Sequence, residues 1–243
     1  EKYIYDTFPK NVGYLMLSGT QKGENQNNGT YIEIEEFSGT AYESISRDLS
    51  GKAKINPGTK PLNIQFFISI PKEVNDNQTI LQKRESLAYN WGTYLSASSD
   101  VNSCNLDFLI NSGSRSLKSS INVPKGNFIH VTCEYHDCDQ KSKITILPTS
   151  LDRGHLFASS SNSVYFQNLS PQGKLVIGKG DNVRNGLGLF ETQQTLSASL
   201  DDLRIFHKTF KNNDIKKHAY KSVSGEDSLA AYFKFNAPHG DYA

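Results

Sequence analysis

The chain has 243 residues, 36% hydrophobic and 11% aromatic, enough apolar surface for a packed core, which excludes an intrinsically disordered segment. Its 26 basic and 25 acidic side chains leave a formal charge of +1, so no global field draws it to nucleic acid and any partner has to be recognised locally. No run approaches the roughly 18–20 apolar residues that cross a bilayer, so no membrane insertion is expected.

Taken in chain order, the elements are short strands. Val12, Gly13, Tyr14, Leu15, Met16 and Leu17 have strand texture, and residues 31–37 follow after a Gly-rich lead-in. Over 62–70, Leu62, Ile64, Phe66, Ile68 and Ile70 project from one face, the period-2 pattern of a half-buried strand, and Pro71 ends it. Further strands are predicted at 79–82, 106–110, 128–135, 143–147, 163–166, 174–177 and 200–206, separated by Gly, Pro, Asn, Asp and Ser clusters. Residues 211–220 read as one short surface helix, with Asn and Asp caps before Ile215 and Ala219. Residues 229–235 resemble the first strand in texture, and the two are expected to pair as first and last strands of one sheet; alternatively the end segment opens a following domain. Many short strands with one helix predict an all-β, antiparallel two-sheet sandwich and argue against a βαβ layout.

Cysteine usage is sparse. Cys104, Cys133 and Cys138 allow at most one disulfide: Cys133 reads as a small core residue and Cys138 as the better candidate, with Cys104 a possible partner; a link to Cys133 or three free thiols remain open. Asn-x-Ser/Thr acceptors at Asn28, Asn77 and Asn168 fall in turn-like stretches, where glycosylation is tolerated, so an extracellular or cell-surface setting is expected. Residues 1–10 lack the charged-then-apolar pattern of a signal peptide, so an exported form would be a mature or excised chain. None of the six histidines shows a metal-type spacing with another, and His136-Asp137-Cys138 lacks the paired cysteines of a zinc knuckle.

Several segments carry a family resemblance. Asn28-Gly29-Thr30-Tyr31-Ile32-Glu33-Ile34, Gly126-Asn127-Phe128-Ile129-His130-Val131-Thr132, Leu175-Val176-Ile177-Gly178, Ser199-Leu200-Asp201-Asp202-Leu203-Arg204-Ile205-Phe206 and the closing stretch 224–235 occur in the order of the laminin-G-like branch of the concanavalin-like lectin and glucanase superfamily. The resemblance covers residues from about 12 to 236 and includes pentraxin-like relatives. It implies a concanavalin-like jelly roll: one domain over 1–243, with its core at about 12–236 and a closing strand and tail at 225–243.

This fold hosts binders and glucanases alike, so sites must decide function. Glu33, Glu35 and Glu36 resemble a laminarinase-like signature, with Glu33 and Glu35 on one face; retaining hydrolysis needs carboxyls about 5–5.5 Å apart. Glu35 stands where that signature has Asp, Glu36 follows it directly, and Trp91 is the one tryptophan for sugar stacking. These therefore read as solvated carboxylates, and no catalytic residue is assigned. The resemblance to calcium-binding relatives makes Ca²⁺ a possible cofactor, with Asp181 and Asn182 in one loop and Glu85 in another as ligands. Asp201 and Asp202 read as structural, pairing with Arg204 or accepting backbone N–H groups. Lys208, Lys211, Lys216, Lys217 and Lys221 read as a solvated helix face.

The expectation is a non-catalytic recognition or adhesion module that binds a glycan or protein through rim loops at 85–91, 153–155 and 181–189. Glu85, Trp91, Arg153, Asp181, Asn182 and Arg184 are its candidate ligand-binding residues. A structural or assembly domain within a larger multidomain protein is the alternative.

Overall fold

The computed structural model describes residues 13–34, 55–148, 156–186, 188–220 and 228–235. The strands are β1 (Leu15–Ser18), β2 (Ile32–Ile34), β3 (Leu62–Ser69), β4 (Gln78–Ser86), β5 (Tyr89–Ser96), β6 (Ser103–Ser112), β7 (Arg115–Pro124), β8 (Phe128–Tyr135), β9 (Ser142–Pro148), β10 (Leu156–Ser159), β11 (Leu175–Ile177), β12 (Val183–Asn185), β13 (Gly188–Phe190), β14 (Ser197–Phe206) and β15 (Leu229–Phe233). Among the described residues the one α-helix, α1, is Asn212–Tyr220. The first sheet runs β1-β14-β3-β8-β9-β10, with β15 also on β14, and the second runs β2-β11-β4-β5-β6-β7. Their ladders are antiparallel, as expected for a sandwich.

Between the sheets lies one continuous apolar core. Ile64, Phe66, Val131 and Ile146 face it from the first sheet, and Leu81, Trp91, Phe108 and Leu175 from the second. Alternation along β3 puts Leu62, Ile64, Phe66 and Ile68 inward and Asn63, Gln65 and Phe67 outward. These outward residues are buried too, because α1 lies across that side, packing Ile215 and Ala219 on Phe67 and Leu147. Asp214 in the first turn of α1, and Lys217 and His218 in the last, complement its dipole.

β14 reverses its own parity. Ala198 and Leu200 point inward before its midpoint, Leu203 and Ile205 after it, so one residue has to be inserted. The register slips between Asp201 and Arg204, with Asp202 in the left-handed region at φ +49°. The bulge is held as expected of structural acids: Asp201 Oδ1 accepts from Asp202 N–H at 2.8 Å, and Arg204 Nη2 pairs with Asp202 Oδ2 at 2.9 Å.

Several expectations are corrected. The first and last strands share a sheet but do not pair; β1 lies on residues 197–200 of β14 and β15 on residues 203–206. Residues 163–166 form no strand, because Tyr135 OH binds that loop instead, donating to Val164 O and accepting from Phe166 N–H. The three cysteines are unpaired, Cys104 and Cys133 buried in the core and Cys138 exposed. Val12, residues 35–37, Lys221 and residues 224–227 lie outside the described residues.

Candidate functional site

The outer side of the second sheet is covered by the hairpin β12–β13. Val183 and Phe190 seal over Tyr94 and Leu109, with the Tyr94 and Phe190 rings 4.8 Å apart. Gly92 is required beneath Tyr94, since a Cβ there would meet Leu81 O at 2.6 Å and the Tyr94 hydroxyl at 2.7 Å. Gln82 clasps the entrance of the hairpin, its Nε2 donating to Asp181 O and its Oε1 accepting from Asp181 N–H, each at 2.9 Å. Burial holds the Tyr94 phenol well above its ordinary pKa, so it stays neutral there.

The hairpin ties the turns at one end of the sandwich together. Arg184 N–H donates to Leu87 O at 3.2 Å, and Arg184 Nη1 to Gly113 O at 2.7 Å. Asn111 Nδ2 donates to Arg184 O at 3.0 Å and to Asn90 Oδ1 at 2.9 Å, while Asn90 Nδ2 bonds Ser86 O and Leu87 O. On this frame Leu87, Tyr89 and Leu189 are 38%, 48% and 51% exposed, an apolar and aromatic ledge. A Cβ on Gly113 would stand 3.2 Å from the Tyr89 hydroxyl, so the ring reaches the β6–β7 turn. Arg115, exposed beside that turn, donates to Tyr165 O at 2.6 Å.

Thus the segments 85–91 and 181–189 do meet at one rim, though the candidate residues there divide. Arg184 is a tie between turns. Trp91 belongs to no loop: it sits in β5 with no exposed surface, inside the main core, and offers nothing to a ligand. Glu85 Oε2 accepts from Gln172 N–H at 3.0 Å, Asp181 Oδ2 pairs with Arg84 at 3.2 Å, and Asn182 Oδ1 accepts from Thr192 N–H at 3.1 Å. Calcium wants about six to eight converging oxygens. These three are each bonded to a different partner. Arg153 and His155 lie outside the described residues.

Asn28 and Asn168 are exposed, whereas Asn77 is half-buried and donates its amide to Glu191 O at 3.2 Å. Glu33 is ion-paired with Lys174 at 2.8 Å, and this hydrogen bond holds its carboxyl below the usual range; Glu35 and Glu36 lie outside the described residues. His130 lies in β8, buried, and desolvation keeps it neutral. One stretch set aside in the sequence for lacking paired cysteines is a grouping in the fold: His136, Cys138 and Asp139 converge on the β8–β9 turn. Its signal was three different donor types within four residues of a strand-to-strand turn, which a search for paired cysteines or histidines passes over. Among the described residues no helix is long and apolar enough to cross a membrane.

No protein-family model matches the chain, and no curated protein matches its sequence. Solved structures do resemble it. One is a Bacteroides ovatus protein described as carbohydrate-binding, at TM-score 0.56 and 12% identity, over 97% of this chain and 55% of that one. Another is the enzymatically active domain of tailspike protein 2 from bacteriophage CBA120, at 0.56 and 12%, over 95% of this chain and 31% of that one. A third is the LG1-3 region of the laminin α2 chain, at 0.47 and 16%, over 80% and 31%. The first two likenesses are of fold alone, a β-sandwich, and in both this chain spans well under two thirds of the other.

Proposed function

We propose that the protein is a non-catalytic recognition module of a secreted or surface protein, and that it binds a glycan at the rim where β4–β5, β6–β7 and β12–β13 meet. The observation that carries this reading is Tyr89, 48% exposed on turns whose own polar groups are bonded to one another. A rigid aromatic face gives a sugar ring an apolar surface at little entropic cost. The exposed Asp181 and Asn182 at the hairpin's entrance supply polar groups for hydroxyls. The sandwich shared with a protein described as carbohydrate-binding is in keeping with this class of ligand. Because the candidate calcium ligands are directed elsewhere, binding is expected to be independent of Ca²⁺.

The test is a glycan array probed with folded protein, with and without calcium, followed by titration of a bound glycan. Tyr89→Ala is expected to weaken binding by about tenfold or more, roughly 1.4 kcal/mol, with the melting temperature unchanged. A silent array, or a Tyr89→Ala variant that binds as the wild type does, would overturn it.

A second reading, assembly within a larger protein, is favoured by one feature. Met16 on β1 and Phe157 on β10, strands at opposite edges of the first sheet among the described residues, are 68% and 66% exposed. A mass measured by light scattering that rises with concentration, and falls back in a Met16→Lys, Phe157→Lys variant, would favour this reading.

A further inference from the structure

The β8–β9 turn brings three different donors together. A ring nitrogen of His136, the thiol of Cys138 and a carboxylate oxygen of Asp139 lie within 4.8 Å of one another. The turn is fixed by its backbone: His136 N–H donates to Lys141 O at 2.9 Å, Val164 N–H to Gln140 O at 2.7 Å, and Lys141 N–H to Asp139 Oδ1 at 3.1 Å. A second observation points to a ligand. Glu134, 1% exposed, accepts from Asn63 and from Phe210 N–H through Oε1, while Oε2 has no hydrogen bond and stands 3.7 Å from His136 Nε2. A buried carboxylate held against an imidazole is the arrangement that orients a metal-binding histidine and raises its basicity.

We propose that this turn binds a divalent metal ion of the zinc type, through His136, Cys138 and Asp139, with Glu134 as the positioning residue. One imidazole, one thiolate and one carboxylate form a borderline-soft set, which suits zinc and disfavours calcium and magnesium, whose ligands are oxygens. Tetrahedral bonds of about 2.0–2.3 Å place donors roughly 3.3–3.8 Å apart. Cys138 is exposed, so its side chain rotates to close the remaining gap, and water takes the fourth place. Binding exchanges the thiol proton for the ion: the S–H bond breaks, the proton goes to solvent and the sulfur keeps its electron pair for the metal. The site lies on a different turn from the rim, and the inference does not rest on glycan binding.

Full-length protein, reduced and freed of metal by chelation, would be titrated with Co²⁺ and then Zn²⁺. A thiolate-to-cobalt absorption in the near ultraviolet is expected, saturating at one ion per chain and abolished by Zn²⁺. Cys138→Ser should remove the band, whereas Cys104→Ser should keep it. Glu134→Gln, which preserves the acceptor for Asn63 and Phe210, should retain the band but weaken the affinity by about tenfold. Absence of the band, or a band that survives Cys138→Ser, would overturn the proposal. Circular dichroism of each variant shows that it is folded, so a lost band reports the site.

Discussion

Asp201 shows how one buried side chain can set the pH response of the fold. It has no exposed surface, and burial first, then the neighbouring Asp202 charge, pushes its carboxyl up to about 7. In the unfolded chain an aspartate titrates at about 3.9. The folded state therefore holds the proton more tightly, and the stability this confers is complete below about pH 4 and lost as pH rises through about 7. Other carboxylates act in the opposite sense, so the clean measurement is a difference. Asp201→Asn keeps an oxygen to accept from Asp202 N–H and cannot ionise. Its urea midpoint relative to wild type should climb steadily between about pH 4 and pH 7. Parallel midpoints across that range would show that the bulge tolerates the charge. Asp202 is satisfied differently, by Arg204 and by the Tyr232 hydroxyl at 2.7 Å, and its substitution would test the bulge.

Among the elements, the β12–β13 hairpin connects fold to site, because it covers one sheet and also positions the rim. Its hold rests on Phe190, 3% exposed and packed on Tyr94. Phe190→Ala should cost about 3 kcal/mol of stability, as a large-to-small change in a sealed cluster does, read from the denaturant midpoint. Glycan affinity should fall with it although residue 190 is not on the ledge; a loss of stability with affinity intact would mean that the rim stands without the hairpin. The same hairpin explains what could be read from sequence. β3 was legible because its outward positions, Asn63 and Gln65, are polar even though α1 buries them, so the alternation survives. β5 was not, because the hairpin buries Tyr94 on one face while the core takes Trp91 and Leu95 on the other, and Gly92 between them reads as a turn. Trp91 was consequently placed in a loop. The rim residues could be named from their loops, but the contact of Arg184 with Leu87 and Gly113 joins segments about 70 to 100 residues apart, which no local pattern encodes.

At the scale of the molecule, the question is whether the two sheets behave as one cooperative body, and the cysteines are placed to report it. Cys104 lies in β6 of the second sheet and Cys133 in β8 of the first, yet both belong to the same core cluster. Burial pushes the Cys104 thiol up to about 11 and holds the Cys133 thiol well above its ordinary range, so neither offers thiolate to a reagent while the fold is intact. Cys138 is exposed on its turn. With chelator present to keep that turn free of metal, a disulfide reagent should titrate one thiol quickly in native protein. The other two should appear together as urea is raised, in a single transition that coincides with the loss of strand signal in circular dichroism. If Cys104 and Cys133 became reactive at different midpoints, the sheets would be separating stepwise, and the shared core would not be what holds the sandwich closed.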